Sequence, residues 1–126
     1  AGVGYLDFEN LIEEIESLGR SELRAVASQV ENILLHFLKM EYIGPRQTNR
    51  HWASEIAQFR IALEDELTPT LQRRLHDRLD RIYPRALSRA RVYAIAAGRE
   101  VALPETSPYS WEQIADPDWL PERRAD

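Results

Sequence analysis

The chain has 126 residues, 44% of them hydrophobic and 29% charged, with a formal net charge of −5. These values predict one soluble globular domain, residues 1–126, rather than a disordered chain, and the absence of cysteine excludes disulfides, thiolate metal ligands and a cysteine nucleophile. No apolar run approaches the roughly 20 residues of a membrane-spanning helix, so we expect a cytoplasmic protein without a membrane partner.

The first predicted helix begins at a cap, Asp7, and ends at Gly19. Its apolar residues recur at steps of one helical turn and form one face: Phe8, Leu11, Ile12, Ile15 and Leu18. Glycine readily adopts the left-handed backbone of a helix end, so Gly19 predicts a stop and a tight corner. A second helix is expected to run from Ser21 to Gly44, antiparallel to the first.

The second helix has the most regular apolar pattern in the chain, and two further helices follow it. The third is predicted after a cap at Thr48 or Asn49. The fourth begins at Thr68, a cap followed by proline, and ends at Gly98. Because Pro84 removes one backbone hydrogen bond and its ring clashes with the preceding turn, we expect a kink or break near residues 80–83.

Residues 99–126 form a C-terminal arm that contains four prolines. Ser110 and Gln113 match a capping box, which predicts one short helix in the arm. Its large apolar residues should pack on the helices: Leu103, Tyr109, Trp111, Ile114, Trp119 and Leu120. The predicted fold is therefore all-α, an antiparallel helical bundle of about four main helices over residues 5–98 with an irregular, proline-rich C-terminal arm packed across it.

Charge is divided unevenly along the chain. Residues 1–18 contain five acids and no base, whereas residues 69–98 contain seven arginines. Five of these arginines recur at helical spacing and predict a ridge that could hold an anionic partner: Arg74, Arg78, Arg81, Arg85 and Arg89. The alternative is that the ridge faces the acidic first helix and the C-terminal arm within the same molecule. The negative net charge disfavours nucleic acid as the partner.

A second candidate site consists of polar groups close to predicted helix ends: Glu14, Arg20, His36, Lys39, Trp52 and Arg60. These residues could bind a small ligand, in a small-ligand-binding protein or an enzyme, or they could simply stabilise helix ends. No Glu stands three residues before His36, His51 or His76, as the di-metal sites of helical bundles require. We find no catalytic motif, and we expect no cofactor, no metal and no catalytic residue.

Several sequence blocks resemble the bacterial domain-of-unknown-function family 29. The blocks are residues 10–21, His36 with Leu38 and Lys39, Trp52, Arg60, and two C-terminal stretches, 108–114 and 116–121. The resemblance implies an all-helical fold and a bacterial origin, and it implies no activity. Members often carry a cysteine where Ser107 stands here, which argues against a thiol-based function.

From these observations we expect a small binding or interaction module without catalytic activity and with an unknown protein partner. Self-association as a homodimer is a further possibility. Three apolar residues could exceed what one bundle covers: Leu34, Leu38 and Ile61.

Overall fold

The structure, a computed structural model, describes the backbone of residues 2–124 and the side chains of residues 8–124. Its α-helices are α1 (Gly2–Leu38), α2 (Asn49–Glu66), α3 (Pro69–His76), α4 (Leu79–Ala96) and α5 (Trp111–Ala115). A π-helical turn (Lys39–Ile43) prolongs α1, and a 3-10 turn (Arg46–Thr48) precedes α2. No strand occurs between residues 2 and 124, and the prediction of an all-α fold with four main helices is confirmed.

The division of residues 7–44 into two helices is wrong. One helix, α1, runs through Gly19 without a corner, and the predicted cap, Asp7, lies inside it. Within the described residues, positive φ occurs only at Gly44 and Gly98, so Gly19 has ordinary helical backbone. A single glycine costs a helix only about 1 kcal/mol relative to alanine, and good helix formers flank it on both sides. The true end lies at Gly44, where φ is +74° and the N–H donates to the Lys39 carbonyl at 2.8 Å.

The core forms where the second half of α1 packs against α2 and α4. Seven of the buried residues of α1 repeat at helical spacing: Leu23, Val26, Val30, Ile33, Leu34, Phe37 and Leu38. Leu34 and Leu38 are therefore covered within the chain, and they offer no surface for self-association. Of the three residues predicted to exceed the bundle, only Ile61 is exposed.

The fourth predicted helix is divided at a different place from the one expected. α3 and α4 are separated by a turn at Asp77 and Arg78, and α4 continues through Pro84. Because α4 begins at Leu79, Pro84 lies in its second turn. Proline has no N–H to donate, so the carbonyl of Asp80 loses its helical hydrogen bond. Asp80 is exposed, and water can solvate this carbonyl instead. The predicted cap at Thr68 is confirmed, since its hydroxyl accepts a hydrogen bond from the Leu71 N–H at 3.2 Å.

The C-terminal arm is attached to the helices by aromatic contacts and by one buried arginine. The Phe37 ring meets the Tyr109 and Trp119 rings edge to face, at centroid distances of 5.0 and 5.2 Å. Arg60 lies over the Phe37 ring and donates from Nε and Nη2 to the carbonyls of residues 114 and 113, both at 2.9 Å. The carbonyls at the end of α5 are thereby satisfied, and the short helix is fixed to α2. The predicted capping box at Ser110 is present.

Glu41, in the π-helical turn, makes a second attachment. Its buried carboxylate accepts hydrogen bonds from the Tyr109 hydroxyl at 2.9 Å and from Arg124 Nε at 2.5 Å. The backbone carbonyl of Glu41 also accepts from the Arg124 N–H at 2.7 Å. These bonds hold both the middle and the end of the described arm against the bundle.

Replacing Gly19 by alanine should stabilise α1 by about 1 kcal/mol, because alanine is the better helix former and the new methyl would lie 3.9 Å from Arg74 Nη1, an ordinary contact. Hydrogen exchange of the amides in residues 8–22 should slow. The matched control is Gly98→Ala, which should destabilise, because φ there is +70°. Faster exchange in Gly19→Ala would contradict the continuous helix.

Candidate interaction surface

Three of the six predicted ligand-binding residues come together where α1, α2 and α4 meet. The buried His36 ring places Nδ1 2.8 Å from the Asn32 carbonyl oxygen and Nε2 2.7 Å from Glu55 Oε2. Burial lowers the pKa of His36, and these two hydrogen bonds offset part of the effect. The second Glu55 oxygen lies 3.2 Å from His51 Nε2, so both oxygens of this carboxylate contact imidazoles.

Lys39 and Trp52 both contact Tyr93 of α4. Lys39 Nζ lies 4.4 Å from the centre of the Tyr93 ring, and Trp52 meets the same ring edge to face at 6.0 Å. Burial lowers the pKa of Lys39. Like His36, these two side chains are engaged by neighbouring residues of the chain.

The other three predicted residues lie elsewhere. Glu14 and Arg20 are exposed on the first half of α1, and Arg60 is buried beneath α5. Within residues 8–124, no group of three His, Asp or Glu side chains has the geometry to hold a metal ion. The set does not form one site, and its role in ligand binding stays a prediction.

The predicted arginine ridge is divided into two parts. Arg85 Nε and Arg89 Nη1 each lie 2.8 Å from an oxygen of Glu31 on α1, and Arg91, which was not part of the predicted ridge, pairs with Glu105 of the C-terminal arm. These arginines have acidic partners within the molecule, and the ridge as a site for an anionic partner stays a prediction. Their partner on α1 is Glu31, however, and not an acid of residues 1–18.

The other three arginines of the ridge, together with the neighbouring Arg73, form what we call the arginine surface: Arg73, Arg74, Arg78 and Arg81. All four are exposed, and none forms an ion pair with another side chain of residues 8–124. The arginine surface borders α1, because Arg74 Nη1 lies 3.9 Å from the position that a Cβ atom on Gly19 would occupy.

The first half of α1 extends beyond the packed core, and we call its residues 8–18 the N-terminal extension. Every residue in it is exposed. Its apolar face, the stripe, has side chains that are between 40% and 63% exposed: Phe8, Leu11, Ile12, Ile15 and Leu18. The sequence pattern identified these residues correctly as one helix face, but the expectation that they pack in the bundle is wrong.

The acids of the N-terminal extension lie outside the stripe. They are Glu9, Glu13, Glu14 and Glu16, and all four are exposed. Gly19 falls on the same helix face as the stripe, since it follows Ile15 by four residues and Ile12 by seven. The stripe therefore ends, on its C-terminal side, beside Arg74.

These features define a small all-helical protein whose largest uncovered apolar feature, within the described side chains, is a helix face. A family model described as "Domain of unknown function DUF29" matches residues 3–120, and the chain belongs to this family. No curated protein and no solved structure matches the chain. Every helix within residues 2–124 is too short or too polar to cross a membrane.

Proposed function

We propose that the chain is a protein-binding module and that the N-terminal extension is its binding element. The observation that carries the proposal is the stripe: five large apolar side chains in a row, uncovered on one face of a helix. Contiguous exposed apolar patches of this kind mark interaction surfaces, whereas single exposed apolar residues do not.

The extension is suited to binding because the bundle supports its helix. A helix of 11 residues is marginally stable by itself in water, since forming the first turn is costly. Here residues 8–18 continue a helix whose other half is fixed in the core, so the first turn is already formed. Less conformational entropy is then lost on binding.

Charge defines the chemistry of the partner. Residues 7–18 contain five acids and no base, so a partner must combine an apolar surface with cationic residues at its border. Phosphate backbones would be repelled, and the extension is therefore proposed as an element that binds protein. The proposal assigns no catalytic step.

The test is photo-crosslinking in living cells that produce the full chain. A photo-crosslinking amino acid at position 15 should give several-fold more protein adducts than the same group at position 61. The comparison is matched, because Ile15 and Ile61 are 59% and 60% exposed and both lie on helices. The adduct at position 15 should map to a lysine- or arginine-bordered surface, and its yield in lysate should fall at high salt.

Two results would contradict the proposal. One is an equal adduct yield at the two positions. The other is an adduct at position 15 that maps to a surface without lysine or arginine at its border, since nothing there would balance the acids of the extension.

A further inference from the structure

We infer that the partner of the N-terminal extension is a second copy of this chain, bound with the two extensions side by side and antiparallel. This inference rests on the proposed function and specifies its partner. Three features of the molecule support it: the order of charges along α1, the position of the arginine surface, and the size of the stripe.

α1 is acidic in its first half and carries both signs of charge after residue 18. Residues 7–18 carry only acids, and the next charged residues are Arg20, Glu22 and Arg24, all exposed. In a parallel pair, the acidic halves would face each other and repel. In an antiparallel pair centred on Glu13, only Glu13 faces itself, and Glu9 of each copy lies near Arg20 and Arg74 of the other, so the repulsion is smaller than in a parallel pair.

The arginine surface lies where such a pair needs positive charge. Antiparallel pairing centred on Glu13 places Leu11 opposite Ile15 and Phe8 opposite Leu18, so the two stripes cover each other. In this register Glu9 of one copy lies within one helical turn of Gly19 of the other. Arg74, at 3.9 Å from the Cβ position of Gly19, is then available to that carboxylate.

The pairing is two-fold symmetric, so the same surface of each copy covers that of the other. The dimer is therefore closed and cannot add further copies through this surface. Ten half-exposed large side chains from two extensions present on the order of 1,000 Å² of surface. That area is at the lower end for specific interfaces, and it predicts a reversible dimer rather than an obligate one.

The first test measures the mass of the full chain by light scattering from roughly 1 µM to 500 µM, the range in which a weak, reversible dimer would dissociate. The wild-type chain should change from monomer to dimer. Leu11→Glu combined with Ile15→Glu should raise the dissociation constant by at least ~100-fold, because four apolar side chains are lost per dimer. Ile61→Glu is the matched control and should leave the dimer unchanged.

The second test is a charge exchange that only the antiparallel arrangement explains. Glu9→Arg and Arg74→Glu should each weaken the dimer about 3- to 10-fold at low salt, and the double variant should recover most of the loss. Glu64→Arg, an exposed reversal on α2, controls for net charge. Far-UV circular dichroism checks that every variant keeps its helices.

The possible results separate this inference from the proposed function. A wild-type chain that stays monomeric, or a dimer that survives Leu11→Glu with Ile15→Glu, overturns the inference. A dimer without recovery in the charge exchange overturns the antiparallel arrangement. If the chain stays monomeric or dimerises through another surface, adducts at position 15 with a different, basic protein would still support the proposed function, and their absence would overturn that as well.

Discussion

Replacing Phe37 by alanine should lower the free energy of unfolding by about 4 kcal/mol, the largest effect we expect from any single truncation in this chain. Phe37 is fully buried, and its ring contacts Tyr109, Trp119 and the Arg60 guanidinium. Truncation removes the apolar contact area and leaves a cavity between α1 and the C-terminal arm. The free energy is measured by urea denaturation.

The control for this prediction makes the same chemical change on the surface. Phe8 is 62% exposed, so Phe8→Ala should change the free energy of unfolding by less than about 0.5 kcal/mol. Hydrogen exchange should also become faster in residues 109–120 of Phe37→Ala. Equal destabilisation by the two variants would mean that Phe37 does not fix the arm.

The parts of the fold that the sequence predicted correctly depend on local chemistry. Thr68 followed by Pro69 starts a helix because the hydroxyl satisfies a free N–H and proline needs none at the first position. Ser110 and Gln113 cap each other's backbone over only four residues. These signals act within one turn of helix, so distant parts of the chain cannot override them.

The predictions that failed concern residues whose effect depends on where they lie in a helix. Gly19 costs α1 only about 1 kcal/mol, and Pro84, a strong helix breaker, lies in the second turn of α4, where the carbonyl it leaves unpaired belongs to an exposed residue. One signal for continuity was present in the sequence: the apolar spacing keeps its phase across Gly19, from Leu11 and Ile15 to Val26 and Val30. A turn between two separate helices at Gly19 would shift the positions at which the apolar residues recur.

The candidate surface could be predicted only in part. Apolar spacing identified the stripe, but burial depends on which other elements reach it, and no helix of residues 8–124 covers Ile15 or Leu18. The partner of Arg85 and Arg89, Glu31, lies more than 50 residues away in sequence, so spacing could not indicate it. The buried acid Glu41 was missed, although its position inside the apolar run of residues 40–43 was a usable signal.

The stability of the folded chain should fall as the pH rises above 10, and Tyr109 should be a principal cause. Burial, together with the negative charge of Glu41 and the hydrogen bond to it, raises the pKa of Tyr109 well above its ordinary value of 10.0. Burial likewise raises the pKa of Tyr83, to about 12. In the unfolded chain both hydroxyls lose their protons near pH 10, while the folded chain keeps them.

The direction of this change in stability follows from the number of protons that the folded and unfolded states bind. Above pH 10 the unfolded state binds fewer protons than the folded state, so each of these tyrosines removes up to about 1.4 kcal/mol of stability per pH unit. For Tyr83 the loss ends near pH 12, where the folded chain also ionises. Between pH 10 and 12 the two together should cost roughly 4 kcal/mol, a large part of the about 5 to 15 kcal/mol by which a domain of ordinary stability is folded.

Tyr109→Phe separates this effect from every other group that titrates in the same range. At neutral pH the variant should be less stable by about 1 to 3 kcal/mol, because the buried Glu41 carboxylate loses a donor. Above pH 10 the stability of the variant should also fall, but the loss per pH unit should be about 1.4 kcal/mol smaller than in the wild type, since phenylalanine has no proton to lose. Urea denaturation at half-unit steps of pH measures both slopes, and parallel slopes would show that Tyr109 ionises as readily in the folded chain as in the unfolded one.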